Sequence, residues 1–287
     1  MRLSVWLPAS KVTYTNPAAE ALSSADRALA LRVIPVQCAR LVDVFQSTRL
    51  TFICLNIPTM TAPFLLADCK AIAFDLDGTL LDTMQDIRAS VSVALRDCGY
   101  GELPEDYRMP NLHGAFPAVL VAVMQDRNVP LSVLDAVIKA YAKHYAHLAH
   151  RNSQPYPGVV DFLEDCQSRG VKLAVCTNKL HASALKALEQ KGLMPYFSVV
   201  LGSDSVSRPK PDAEPLLKAF EAMGVAPAQG AYVGDTHVDA ISAHNAGVPF
   251  VWFRAGYGGE LVHEHPQALA FDDYAELLTV HDATFSS

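Results

Sequence analysis

The chain carries no excess of positive charge, no apolar run of membrane length and no closely paired cysteines, and each absence removes a class of function. Lys and Arg number 23 against 30 Asp and Glu, a formal net charge of -7 over 287 residues. General nucleic-acid binding needs a basic face, so no nucleic-acid partner is expected. An anionic small molecule remains admissible, because a few local cations override the global field. No stretch approaches the roughly 18 apolar residues that a membrane span needs, so no membrane partner is expected either. The six cysteines, Cys38, Cys54, Cys69, Cys98, Cys166 and Cys176, include no C-x-x-C pair and no cysteine–histidine ligand spacing. Scattered cysteines in a chain of this size read as reduced thiols, several of them buried, and point to a cytoplasmic protein. The first ten residues have a short apolar core broken by Pro8, with Lys11 soon after, which argues against a secretory leader.

What is present is a large apolar fraction, 51% of the residues against 18% charged. That is enough for one sizeable core, or for one domain plus a smaller one. The stretch Ala71-Ile-Ala-Phe-Asp75-Leu-Asp77-Gly78-Thr79-Leu80 stands out. It reads as an apolar strand running into two carboxylates and a glycine turn. Strand side chains alternate faces, so Asp75 and Asp77 are expected on one side. Like charges held close repel, and a divalent cation is the usual compensation. Gly78 lets the chain turn where a Cβ would hinder it. A polar loop with Asp and Gly as turn formers is the plainer reading of this segment taken alone.

Residues 84–154 read as helical, with Thr83 and Asp86 at capping-box spacing for the first helix. A second helix is expected over 115–127, and a third, capped by Ser132 with Asp135, runs to about residue 150. From Tyr156-Pro157-Gly158 onward helices and strands alternate. Strands are expected at 172–176, 197–201, 231–233 and 249–253, with helices at 159–169, 182–191, 214–223 and 239–246. Alternation of this kind implies βαβ units and a parallel sheet, hence an α/β, Rossmann-like core with an inserted helical cap domain. The expected division is 66–83 and 155–287 for the core and 84–154 for the cap. Residues 1–65 carry scattered prolines and no sustained period. A helix over 18–31 is the one element expected there. The segment reads as a poorly ordered extension, with Met60 as an alternative start.

Ligands of an open parallel sheet bind beyond the carboxyl ends of its strands. The strand tips here offer Asp75 and Asp77, then Thr177-Asn178, then Ser207-Arg208-Pro209-Lys210-Pro211, then Gly234-Asp235-Thr236-His237-Val238-Asp239. Thr177 alone fits a turn, Lys210 alone fits an exposed loop, and Gly234-Asp235 alone fits a turn. Their conjunction at successive strand ends favours a site. His144, His147 and His150 fall at helical spacing but read as a solvated face. Arg108, His113 and Arg127 read as surface residues of the cap.

Asp75-Leu-Asp77-Gly-Thr79, Thr177-Asn178, Lys210 and Gly234-Asp235-x-x-x-Asp239 together resemble the haloacid dehalogenase superfamily of aspartate-nucleophile phosphohydrolases. Tyr156-Pro-Gly158, Thr177-Asn-Lys179, Pro209-Lys-Pro211 and Gly256-Tyr-Gly258 are similar to the phosphoglycolate phosphatases within it. Asn111-Leu-His113-Gly114 matches their glycine-rich loop only in part. The resemblance implies Asp75 as nucleophile and Asp77 as general acid and base. It implies Mg²⁺ held by Asp75, Asp235 and the backbone carbonyl of Asp77, with Asp239 supporting that site. It assigns Thr177, Asn178 and Lys210 to the phosphoryl oxygens. The implied substrate is a small phosphorylated metabolite, 2-phosphoglycolate first. A sugar-phosphate phosphatase or a phosphoglucomutase-type isomerase uses the same pair of carboxylates. The expected assembly is a monomer or homodimer.

If the first 59 residues are dispensable, a chain starting at Met60 stays soluble and keeps its activity. Insoluble or inactive protein on expression of the truncated chain refutes the expectation.

Overall fold

The computed structural model describes residues 64–110, 116–148 and 150–282. The segment 1–63, with its expected helix and the start at Met60, lies outside the described residues, as do residues 111–115 with His113. Phe64 and Leu66 already belong to the main core, Leu66 fully buried and Phe64 packed against it.

A six-stranded parallel sheet forms the centre, in the order β5-β4-β1-β6-β7-β8. The strands are β1 Ala71–Phe74, β4 Lys172–Cys176, β5 Val199–Leu201, β6 Gly230–Gly234, β7 Phe250–Phe253 and β8 Leu269–Phe271. Alternation along the strands sorts side chains into two layers. Ile72, Phe74, Leu173, Val175, Val233 and Phe253 face one way. Ala71, Ala73, Ala174, Cys176, Tyr232 and Trp252 face the other. The first face is covered by helices α4 (Val159–Ser168), α5 (His181–Gln190) and α8 (Tyr274–Asp282), the second by α6 (Glu214–Met223) and α7 (His237–Ala246). Because both faces are covered, β1 is buried at all four positions. β1 lies between β4 and β6, where the winding reverses, and its carboxyl end is therefore the switch-point crevice of the sheet.

The sequence placed most of these elements within a residue or two. Glycine ends several of the helices for a physical reason. Gly224 and Gly247 adopt φ +65° and +66° after α6 and α7, the left-handed conformation that a Cβ disfavours. β8 and α8 were not anticipated. Cys69, Cys166 and Cys176 are buried free thiols, as expected of reduced cysteines; Cys38 and Cys54 lie outside the described residues.

Helices α1 (Met84–Asp97), α2 (Phe116–Asp126) and α3 (Leu134–Leu148) share a separate apolar cluster built on Val91, Leu95, Leu120, Val123, Met124, Val137 and Tyr141. Two chain crossings join this bundle to the sheet. They pair as a short antiparallel ribbon, β2 (Leu81–Asp82) against β3 (Gln154–Pro155). Asp86 corrects the reading of its neighbourhood. No capping box forms, since Thr83 makes no side-chain cap bond to α1. The Asp86 carboxylate instead accepts from Ser153 N (2.7 Å), Ser153 Oγ (2.6 Å), Asn152 N (3.1 Å) and Asn152 Nδ2 (3.0 Å). It ties the outgoing crossing to the returning one. Burial pushes its pKa up, but these donors outweigh burial and hold it below the usual carboxylate range.

Asp86→Ala leaves the buried Ser153 N–H and hydroxyl without an acceptor and frees the Asn152 donors. The expected loss is about 3 kcal/mol of unfolding free energy by urea titration, and a loss under about 1 kcal/mol contradicts the clasp.

Candidate active site

β1 ends at Phe74, one residue before the first carboxylate, although the ladder continues through Asp75 N to Val233 O (2.9 Å). Strand alternation therefore does not place the Asp75–Asp77 pair. A tight turn does, with Leu80 N and Leu81 N both donating to Leu76 O (3.0 and 2.9 Å) and Gly78 N to Leu81 O (2.9 Å). Gly78 is needed twice over. Its φ is +88°, and a Cβ there would meet Asp235 Oδ2 at 2.5 Å and Tyr257 Cδ2 at 2.7 Å. The turn sends the two carboxylates to different partners.

Asp75 lies beside Lys210. The ammonium is 3.0 Å from Asp75 Oδ1 and 2.6 Å from Asp239 Oδ1, and donates to Tyr232 Oη at 2.8 Å. The contact with Asp75 is an ion pair off the hydrogen-bond direction, and no donor hydrogen-bonds that buried oxygen. Asp239 is anchored at the start of α7 by its second oxygen, which accepts from Thr236 N (3.0 Å) and Thr236 Oγ1 (2.7 Å). Burial lowers the proton affinity of Lys210, but Asp239 and Asp75 outweigh it and keep the ammonium charged. Burial acts upward on Asp239, and Lys210 with Thr236 reverses that, so it stays ionised.

Asp235 follows β6 and is fully buried. Thr79 Oγ1 donates to its Oδ1 (2.7 Å) and Tyr257 N to its Oδ2 (2.7 Å). No cation among the described residues pairs with it. Burial first, then Asp239 and Asp75, push its pKa well above the usual range. Asp75 is pushed up to about 6, again mainly by burial; Lys210 opposes the rise, and Asp239 and Asp77 add to it. Oxygens of Asp75, Asp235 and Asp239 lie within 4.8 Å of one another. Three buried carboxylates thus face one ammonium. The oxygen-only donor set and the undonated Asp75 Oδ1 fit a hard divalent cation such as Mg²⁺. Asp239 is held by the Lys210 ammonium through one oxygen and by Thr236 through the other, whereas Asp235 has only neutral donors and Asp75 Oδ1 has none, so Asp75 and Asp235 are the open donors.

Asp77 is outside that cluster. Lys179 Nζ donates to both its oxygens at 2.8 Å and to Tyr145 Oη at 2.6 Å. Burial raises Asp77, but the charge and bonds of Lys179 prevail and hold it below the usual range. Thr177 Oγ1 accepts from Lys179 N at 3.2 Å, and Asn178 Nδ2 donates to Lys210 O at 3.1 Å. Asn178 thus fixes the Lys210 loop and has one N–H left.

The structure adds Thr79, Lys179, Tyr145 and Tyr257 to this neighbourhood. Lys179 and Tyr257 stood in the motifs without a role of their own. Thr79 stood in the first motif, and only its long-range bond to Asp235 assigns it one. Tyr145 gave no signal beyond an apolar helix position. Two readings of histidines need correction. His144 pairs with Asp97 (2.7 Å) across the bundle, and His150 is buried past the end of α3, its ring edge-on to Tyr145 at 5.2 Å. The side chain of His147 lies outside the described residues. Arg108 and Arg127 are exposed, as expected.

Comparison with known proteins gives a consistent picture. The model of the haloacid dehalogenase-like hydrolase family matches residues 72–253. The chain is 31% identical over 207 residues to the phosphoglycolate phosphatase of Agrobacterium fabrum, covering 71% of this chain and 88% of that one. It is 36% identical over 194 residues to the phosphoglycolate phosphatase of Caulobacter vibrioides, covering 67% and 81%. Among solved structures, a Haemophilus somnus protein described as a predicted phosphoglycolate phosphatase superposes with TM-score 0.68 and 28% identity, covering 74% of this chain and 98% of that one.

The raised groups set a pH dependence. For Asp75 the folded-state pKa of about 6 exceeds the ordinary value of 3.8. Its stabilising contribution is complete below the ordinary value and is lost as pH rises through 6, by about 3 kcal/mol. Asp235 shifts the same way. A bound cation removes that loss, so the rise in Tm on adding millimolar Mg²⁺ should be larger at about pH 8 than at about pH 5. A rise that is equal at both, or larger at the lower pH, rules out this site as the binding site.

Proposed function

Because the chain belongs to the haloacid dehalogenase-like hydrolase family and is a phosphatase of it, we propose that it is a Mg²⁺-dependent phosphomonoesterase. Its substrate is a small phosphorylated metabolite, with 2-phosphoglycolate first. The observation that carries this reading is the undonated, buried Asp75 Oδ1 set between Lys210 and the raised Asp235 carboxylate. The names of the relatives support the choice of substrate.

Asp75 acts as nucleophile. One of its oxygens attacks phosphorus, the ester P–O bond breaks, and an aspartyl-phosphate forms. Asp77, ionised beside Lys179 in the free site, takes up a proton as the substrate binds, passes it to the departing alkoxide, then takes one from the water that attacks the aspartyl-phosphate, returning Asp75 and releasing phosphate. Lys210, the hydroxyl of Thr177 and the remaining N–H of Asn178 hold the transferring phosphoryl oxygens. Asp239 keeps Lys210 charged and aimed at Asp75. Asp75, Asp235 and the Asp77 carbonyl would hold Mg²⁺, which supplies positive charge where an anionic nucleophile meets an anionic phosphate. The helical unit over 84–154 serves as a cap that shelters this chemistry from bulk water.

The decisive assay measures phosphate release from a panel of phosphomonoesters with and without Mg²⁺, beside Asp75→Asn. The variant is expected to fold and to lose about a thousandfold or more in kcat. Wild-type-like turnover by the variant removes Asp75 as nucleophile, and equal rates on 2-phosphoglycolate and sugar phosphates remove the narrow substrate assignment.

A further inference from the structure

Asp77 is the group that must meet the bridging oxygen of the ester, and a second buried cation already holds it. The Lys179 side chain is 7% exposed and the Asp77 side chain 22%. The three N–H bonds of the ammonium are all committed, two to Asp77 and one to Tyr145. Tyr145 belongs to α3 of the bundle, whereas Lys179 leads from β4 into α5 of the sheet domain. The same seam is joined a second time by Lys186 Nζ of α5 donating to Ala146 O at 2.8 Å. Lys179 therefore stands where the leaving group departs. Lys210, by contrast, stands behind the phosphoryl group with Asp75.

We infer that Lys179 is a specificity-determining residue that binds a carboxylate on the ester-bearing carbon of the substrate, with Tyr145 holding it in place from the cap. This rests on the phosphatase reading above and deepens it. Geometry sets the class of substrate. An ester oxygen hydrogen-bonded to Asp77 lies about two hydrogen-bond lengths from Lys179 Nζ. A carboxylate on the next carbon falls inside that span. Lys179 then exchanges one of its two Asp77 bonds for the substrate carboxylate, and the freed Asp77 oxygen takes up a proton and donates it to the ester oxygen. A neutral alkyl phosphate offers nothing for that exchange, and both Asp77 oxygens stay bound to the ammonium. A sugar monophosphate likewise has no second anion at this reach. Selection is thus made at the acid/base carboxylate itself, with no separate pocket required. Arg108 and Arg127, the arginines read from the sequence as surface residues of the cap, are exposed and have no such placement.

The test compares kcat/KM for 2-phosphoglycolate and ethyl phosphate, which differ by the carboxylate, in wild type, Lys179→Met and Lys179→Arg. Wild type should prefer the carboxylated ester, and Lys179→Met should shrink that preference by about tenfold to a hundredfold, the size of one charge-assisted hydrogen bond. Lys179→Arg, which keeps the charge, should retain more of the preference than Lys179→Met. Equal loss on both esters in Lys179→Met overturns the inference and leaves Lys179 a general support of Asp77. So does a wild type that hydrolyses both equally well, a result that needs no folded variant. Absence of any Mg²⁺-dependent phosphate release by wild type sinks the phosphatase reading instead.

Discussion

Three carboxylates buried around one ammonium set the terms for the rest of the site. Asp75, Asp235 and Asp239 lie within 4.8 Å of one another, and Lys210 pairs with two of them. Burial alone makes each ionised carboxylate costly, and their proximity adds repulsion. The fold responds unevenly. Asp239 receives Lys210, Tyr232 and Thr236 and stays ionised. Asp235 receives only neutral donors, Thr79 and Tyr257, and is pushed toward its protonated form. With all three ionised the arrangement is two positive charges short, and the shortage falls on Asp75 and Asp235. A site built this way is held open for a divalent cation by its own electrostatics, and its stability is tied to pH through the same two groups.

The backbone makes this concentration of charge feasible. The sheet reverses its winding at β1, so the ends of β1, β4 and β6 converge on one crevice. These strands are buried on both faces at their carboxyl ends, and the charged residues of the site follow just past them. The cost of the carboxylates is met by residues tens or hundreds of positions away, as the Thr79–Asp235 bond illustrates. Gly78 exists for the same convergence, since any side chain there would occupy the space of Asp235 and Tyr257.

The parallel sheet and the strand-end residues were legible because both follow from local patterns. Apolar runs of four or five residues alternate with helices ending at Gly192, Gly224 and Gly247, and the polar residues fall just past each run. What escaped depends on distant partners. Asp86 sits three residues after Thr83 and suggested a capping box, yet its acceptors are spent on Asn152 and Ser153 across the bundle. Lys179 was visible in Thr177-Asn-Lys179, but its role needs Tyr145 and Asp77, 34 and 102 positions away. β8 is three residues long and carried no periodic signal. His150 was grouped with His144 by spacing, but α3 ends at Leu148, so the helical count that linked them does not extend that far.

The two lysines divide the site's labour by what they leave exposed. Lys210 is 2% exposed and lies beside Asp75, the proposed nucleophile. In the proposed mechanism it meets only the phosphoryl group, which all phosphomonoesters share. Lys179 touches the carboxylate on the departing side and a tyrosine of the bundle, so its bonds depend on what departs and on where the bundle sits. Aromatic stacking carries that dependence into the bundle, from Tyr145 to Tyr141 (5.1 Å) and on to Phe116 (3.7 Å) at the start of α2. Phe116 follows directly on residues 111–115. A change in this bundle therefore reaches Asp77 through one tyrosine and one ammonium, while the Asp75–Lys210–Asp239 group, built wholly from the sheet domain, is left as it was. On the proposed reading, phosphoryl chemistry and substrate selection are carried by separate ion pairs, and they can vary independently.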